Sequence, residues 1–151
     1  MANLTTTGLD EIVGSLEELA NIPDDTILDM LTAEAEVYAE EQKRAFNTAY
    51  HKGYSKGITA EKVTYSKTLK LKKGVKCIYV YPMGDRQDSR NSRTGGNVRR
   101  AASVAFINEH GSERRNIPKR LTVRTANAKA EVKAVEAATD VYGKYLKSKN
   151  L

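Results

Sequence analysis

The apolar positions change period several times along the chain. After Thr5, Thr6, Thr7 and Gly8, the residues Leu9, Ile12, Val13, Leu16 and Leu19 recur at helical spacing and predict a short amphipathic helix that Pro23 ends. Asp24 or Asp25 stands where it can cap a second helix. In that helix Ile27, Leu31, Ala35, Tyr38, Ala45 and Ala49 return at intervals of three, four or seven, predicting a helix near 25–50. Its first half is acidic and its last turns carry Lys43, Arg44, His51 and Lys52, a polarity that suits the helix dipole. Gly53 and Gly57 break it. Val63, Tyr65, Leu69 and Leu71 then alternate with Thr64, Ser66, Thr68 and Lys70, the period-two pattern of a half-buried strand over 63–71. Lys73-Gly74 reads as a turn. The β-branched and aromatic run Val75 to Tyr81 reads as the second arm of an antiparallel hairpin, stopped by Pro82 and Gly84.

The second half is less regular. Residues 83–97 have no apolar period and are rich in turn formers, which predicts a long, flexible, exposed loop reaching Arg100. Ala101 to His110 fits a short buried helix or a strand equally well, and Gly111 ends it either way. A second basic loop follows at about 112–120, around Pro118. From Leu121 the stripe Leu121, Thr125, Ala128, Val132, Val135, Ala138, Tyr142 and Tyr145 predicts a helix over 121–147. This order of elements implies an α+β class, with long helices packed on a small antiparallel sheet in a single domain over 1–151. The expected core is Leu31, Tyr38, Val63, Leu69, Ile78, Val80, Phe106, Val132 and Val135.

Composition agrees with one folded unit, since 40% apolar and 29% charged residues in 151 leave enough side chains for one core. No run approaches the roughly 18 apolar residues that a membrane-spanning helix needs, and the first residues lack the basic-then-apolar order of a secretion signal. The lone Cys77 cannot form an intrachain disulfide or a multi-cysteine zinc site.

Charge changes the picture more. Residues 1–41 hold eleven Asp and Glu and no Lys or Arg, so all 25 basic side chains fall in the remaining 110 residues, beside eight acids. An acidic front and a basic back suit contact between neighbouring copies, and a basic back also suits a polyanion. Arg86, Arg90, Arg93, Arg99 and Arg100 give the first basic loop the means to track phosphates without aromatic stacking. Arg114, Arg115, Lys119 and Arg120 do the same for the second.

Chemistry finds no constellation. The two histidines, His51 and His110, are far apart, and no His-Glu-x-x-His, Cys-x-x-Cys or Gly-x-Ser-x-Gly pattern occurs. Gly95-Gly96 lacks the Lys-Ser or Lys-Thr of a phosphate loop. Glu109-His110 reads as a polar turn before an acid–base pair, and Cys77 as an apolar filler before a nucleophile. The expectation is a protein that is not an enzyme, with no cofactor, metal or small-molecule substrate.

The segment from Asn97 to Leu146 carries a recognisable pattern. It includes Ala105-Phe106-Ile107-Asn108-Glu109-His110-Gly111, then Pro118-Lys119-Arg120-Leu121, Arg124-Thr125-Ala126-Asn127 and the close Val141-Tyr142. In these motifs it resembles the tail-component family of long-tailed bacteriophages. The family's signature has an aromatic where this chain has His110, and an Arg-Pro-Phe where Leu121 directly follows Arg120. The loop at 85–100 is also longer than that signature leads one to expect.

What the resemblance implies is a small α+β virion protein of the neck or tail-completion region. It would assemble as a homo-oligomeric ring around the DNA channel, join head to tail and contact neighbouring neck and tail proteins, passing through the host cytoplasm during assembly. Glu109, Gly111, Arg120 and Arg124 are then assembly or fold residues, with a basic side chain such as Arg120 or Arg124 expected to hold Glu109. The acidic front, represented by Glu34, Glu36, Glu40 and Glu41, would meet the basic part of the next copy. The competing reading is a sequence-independent DNA-binding protein acting through its basic loops. It gains if Arg86, Arg90, Arg93, Arg99 and Arg100 share one surface of the monomer with Arg114 and Arg115.

Overall fold

The computed structural model describes residues 22–49, 58–86 and 99–149. The amphipathic segment at Leu9 to Leu19, the breakers Gly53 and Gly57, and Arg90 and Arg93 lie outside them. Helix α1 spans Asp24–Ala49 with Asp24 and Asp25 in its first turn, where the dipole favours acids. A four-residue turn of helix, α2 (Ile58–Glu61), precedes strands β1 (Val63–Tyr65), β2 (Lys70–Lys72), β3 (Val75–Cys77) and β4 (Val80–Pro82). Strands β5 (Asp85–Arg86) and β6 (Arg99–Arg100), helix α3 (Ala101–His110), a 3-10 turn (Glu113–Arg115) and helix α4 (Thr122–Ser148) complete the order. The class is α+β, with long helices packed beside short antiparallel pairs.

The hairpin forms with the expected partners but in two ladders. Strand β1 pairs with β4 through Val63↔Pro82, Thr64↔Tyr81 and Tyr65↔Val80, and β2 with β3 through Lys70↔Cys77, Leu71↔Lys76 and Lys72↔Val75. Between the ladders the first arm has Ser66 to Leu69 where the second has only Ile78 and Tyr79, so the ladder breaks and the pairing shifts. The Ser66 and Tyr79 backbones still bond across the break (2.9 Å). At the tip Lys73 and Gly74 both take positive φ (51° and 81°), the pairing of angles that a two-residue turn matched to strand twist requires.

Helices α1 and α4 lie antiparallel. Thr48 and Thr122 line one groove between them, and Val37 and Lys133 another farther along. The face of α4 buried against α1 is Thr122, Ala126, Ala130, Ala134 and Ala138, one residue in every four, and the buried residues of α1 are Ala35, Ala39, Gln42 and Phe46. Small side chains let two helix backbones approach closely. The larger stripe on α4 therefore points elsewhere: Val132 is 69% and Val135 55% exposed. Phe106, the third misplaced core residue, is 64% exposed, because α3 buries the opposite face through Ala101, Ala105 and Asn108.

Of the remaining expected core, Val63 is buried, while Leu31, Tyr38, Leu69, Ile78 and Val80 are half-buried. The main cluster is Ala39, Phe46, Ala60, Val63 and Ala105, flanked by Tyr65, Val80 and Val123. It sits where the second half of α1 meets α2, β1 and α3. Phe46 and Thr59 are the largest fully buried side chains.

Candidate assembly junction

Residues 101–110, whose pattern fits a helix or a strand, form a helix, and its end is built to join α4. Gly111 donates its N–H to Ile107 O (2.7 Å), Arg120 its N–H to Asn108 O (3.1 Å) and Leu121 its N–H to Glu109 O (3.4 Å). The last carbonyls of α3 are thus met by amides from both ends of the loop that follows. That loop closes on itself through reciprocal Ser112–Ile117 backbone bonds (2.9 and 3.0 Å) around the 3-10 turn.

Gly111 is required twice over. Its φ is +77°, in the region that favours glycine, and a Cβ there would stand 2.9 Å from Ile117 O and 3.0 Å from Lys119 N. Both obstacles are backbone.

Helix α4 begins without a cap of its own, since its N-cap is Leu121, at φ 50° with no side-chain acceptor. The acceptor comes from α3. Glu109 takes the N–H of Val123 on Oε2 (2.7 Å) and that of Arg124 on Oε1 (3.1 Å). The carboxylate does the work of an N-cap from another helix, and its charge lies where the α4 dipole favours it. Backbone amides fill this role, and Arg124 contributes its N–H. Arg120 and Arg124 themselves are exposed.

His110 points away from this bond pair and packs on Phe106, ring centroids 4.5 Å apart at 45°. A shallow groove beside it is lined by His110, Glu113, Arg114 and Lys119 of the loop itself. Neighbours in sequence, Glu109 and His110 serve different surfaces. Among the described residues no three His, Cys, Asp or Glu side chains are placed to hold a metal ion, and no helix is long and apolar enough to cross a membrane.

The acidic residues of α1 already have company within the chain. Arg44 pairs with Glu41 (2.7 Å) and Glu40 (3.4 Å), and Tyr65 donates its hydroxyl to Glu36 (2.9 Å). That hydrogen bond, with some desolvation and the Glu36 charge, raises the Tyr65 phenol above its ordinary value. Glu34 is half-buried and desolvation raises its carboxyl. Glu41 is also half-buried, so of the four only Glu36 and Glu40 are freely exposed. Across the helix seam Tyr38 is raised by burial first and then by Glu34 and Glu131. Asp24 meets Lys76 of the hairpin.

The first basic loop has a stem that sequence reading missed. Asp85 pairs with Arg100 and Arg86 with Arg99 as antiparallel neighbours, and Ala101 N–H bonds Gly84 O (3.0 Å). The backbones of Arg86, Arg99 and Arg100 therefore meet in this two-residue ladder, directly before α3. Two residues per strand give too short a period to detect in sequence. Equally hidden is Gln42, buried in the helix seam, where Nε2 bonds Asn127 Oδ1 (2.9 Å) and Oε1 has no hydrogen-bond partner.

Comparison with family models, with curated proteins and with solved structures yields no match to this chain.

Proposed function

We propose that this chain is a structural protein of a long-tailed phage virion, placed at the neck or tail end and assembling as a ring that helps join head to tail. The observation that carries the reading is the meeting of the resemblance residues at one junction. Glu109, Gly111, the Pro118 loop and the start of α4 close on one another through the Glu109 carboxylate and backbone bonds. Such a signature fixes the angle and register of two helices, which is what a repeating subunit needs. The carboxylate of Glu109 spends its lone pairs on amides rather than on a reacting group.

Ring contacts in this reading join the acidic front to a basic surface of the next copy, and the arginines around β5 and β6 face either that neighbour or the DNA channel. Loose, sequence-independent phosphate contacts would let a genome slide. Electron microscopy of the purified protein at graded salt, and of particles assembled with variants, tests it. Replacing Glu34, Glu36, Glu40 and Glu41 by Gln removes charge while leaving side-chain oxygens to accept from Tyr65 and Arg44. Rings and infectious yield should fall with the fold intact. Normal yield from that variant, with DNA retention abolished by Arg86→Gln, Arg90→Gln and Arg93→Gln, would overturn the reading in favour of a DNA-binding protein.

A further inference from the structure

Helix α4 has two apolar faces, and only the alanine face is covered by α1. The other runs Thr125, Ala128, Val132, Val135, Thr139, Tyr142 at alternating steps of three and four, the spacing of a coiled-coil seam. Thr125, Ala128, Val132, Val135 and Thr139 are exposed and Tyr142 half-buried. The Thr139 hydroxyl is turned back onto Val135 O (2.8 Å), which leaves its methyl for the seam.

We infer that this face is an interface between two copies of the chain, paired as an antiparallel two-stranded coiled coil through α4. Register and charge both select that occupant. In antiparallel pairing about a two-fold axis the layers are Val132 against the second copy's Val135, Ala128 against Thr139 and Thr125 against Tyr142. The two valines meet at the centre, and the bulky Tyr142 always meets a smaller side chain. The residues flanking the seam then match: Lys129 faces Glu136 of the other copy, and the two-fold axis makes this pair twice, while Glu131 faces Ala138. A parallel pairing in the same frame sets Glu131 against Glu136 twice, a like-charge contact that disfavours it. The seam from Thr125 to Tyr142 is about 26 Å long at 1.5 Å per residue, long enough for three layers on each side of the pairing.

This pairing goes beyond the proposed ring, whose seam is charged and heterologous. A two-fold seam closes on two chains and does not propagate a ring, so the two readings fail separately.

In salt high enough to dissolve the charged ring contacts, sedimentation equilibrium of the full chain should give a concentration-dependent mass approaching twice 16.7 kDa. Val132→Glu with Val135→Glu should yield monomer at every concentration with an unchanged circular dichroism spectrum. Lys129→Glu alone and Glu136→Lys alone should each weaken self-association about tenfold or more, and mixing the two single variants should restore pairing as a heterodimer. That rescue is peculiar to the antiparallel register. The inference is overturned by a wild-type chain that stays monomeric at about 100 μM, by a dimer that survives the double glutamate change, or by the absence of rescue on mixing. A chain that dimerises only after residues 1–21 are removed would also overturn it, because its own N-terminal segment would then be the occupant.

Discussion

A carboxylate that caps a helix from outside ties two elements with a single side chain. Glu109→Ala should cost about 1–2 kcal/mol in chemical denaturation, the usual worth of an N-cap, and Glu109→Gln less, since one amide oxygen still accepts. Gly111→Ala should cost about 1–3 kcal/mol, because strain at positive φ and backbone contact act together. A catalytic defect with unchanged stability in either variant would contradict the structural role. Tyr65 gives a pH signature. Its folded-state pKa lies above the unfolded value, so its contribution is complete below about pH 10 and is lost as pH rises through the folded value. As pH rises above about 10 the wild type should therefore lose more stability than Tyr65→Phe, as measured by urea midpoints. Gln42 is a different case, for its orphan oxygen is a cost already present in the fold.

At the scale of elements, the long helices were legible because their periods persist over seven turns, and the hairpin because its turn and arms carry strong local signals. The helix faces were not. Helix α4 offers a valine-bearing stripe and an alanine stripe on opposite sides, and hydrophobicity favours the first while close backbone approach favours the second. Sequence patterning cannot weigh a contact that depends on how closely the partner helix can approach. Phe106 misled for a related reason, since a large apolar side chain on a ten-residue helix was outweighed by Ala101 and Ala105 on its other side. Of the site, Glu109 and Gly111 were visible in sequence and the amide partners were not, because a side-chain cap across 14 residues leaves no local trace. Unfolding experiments separate the two α4 faces. Ala130→Leu or Ala134→Leu should cost about 1–3 kcal/mol by overpacking, whereas Val132→Asp at dilutions that keep the chain monomeric should change stability by no more than about 0.5 kcal/mol.

For the whole molecule, the charge split along the chain is partly consumed at home, since Arg44 answers Glu40 and Glu41, and Lys76 answers Asp24. What remains for a neighbour is a field of partly exposed groups, screened over about 8 Å at physiological ionic strength. Ring formation, followed by electron microscopy, should accordingly weaken as salt rises, and insensitivity to salt would remove the charged seam from the proposal. The two faces of α4 also predict how the chain can drift under selection. Alanines pressed between helix backbones have nowhere to grow, so sequences descended from this one should hold Ala126, Ala130 and Ala134 nearly fixed. The valine-bearing face obeys a different rule, since a change there is tolerated whenever the surface opposite changes with it. Positions 132 and 135 should thus vary in step with each other while the alanines stay still.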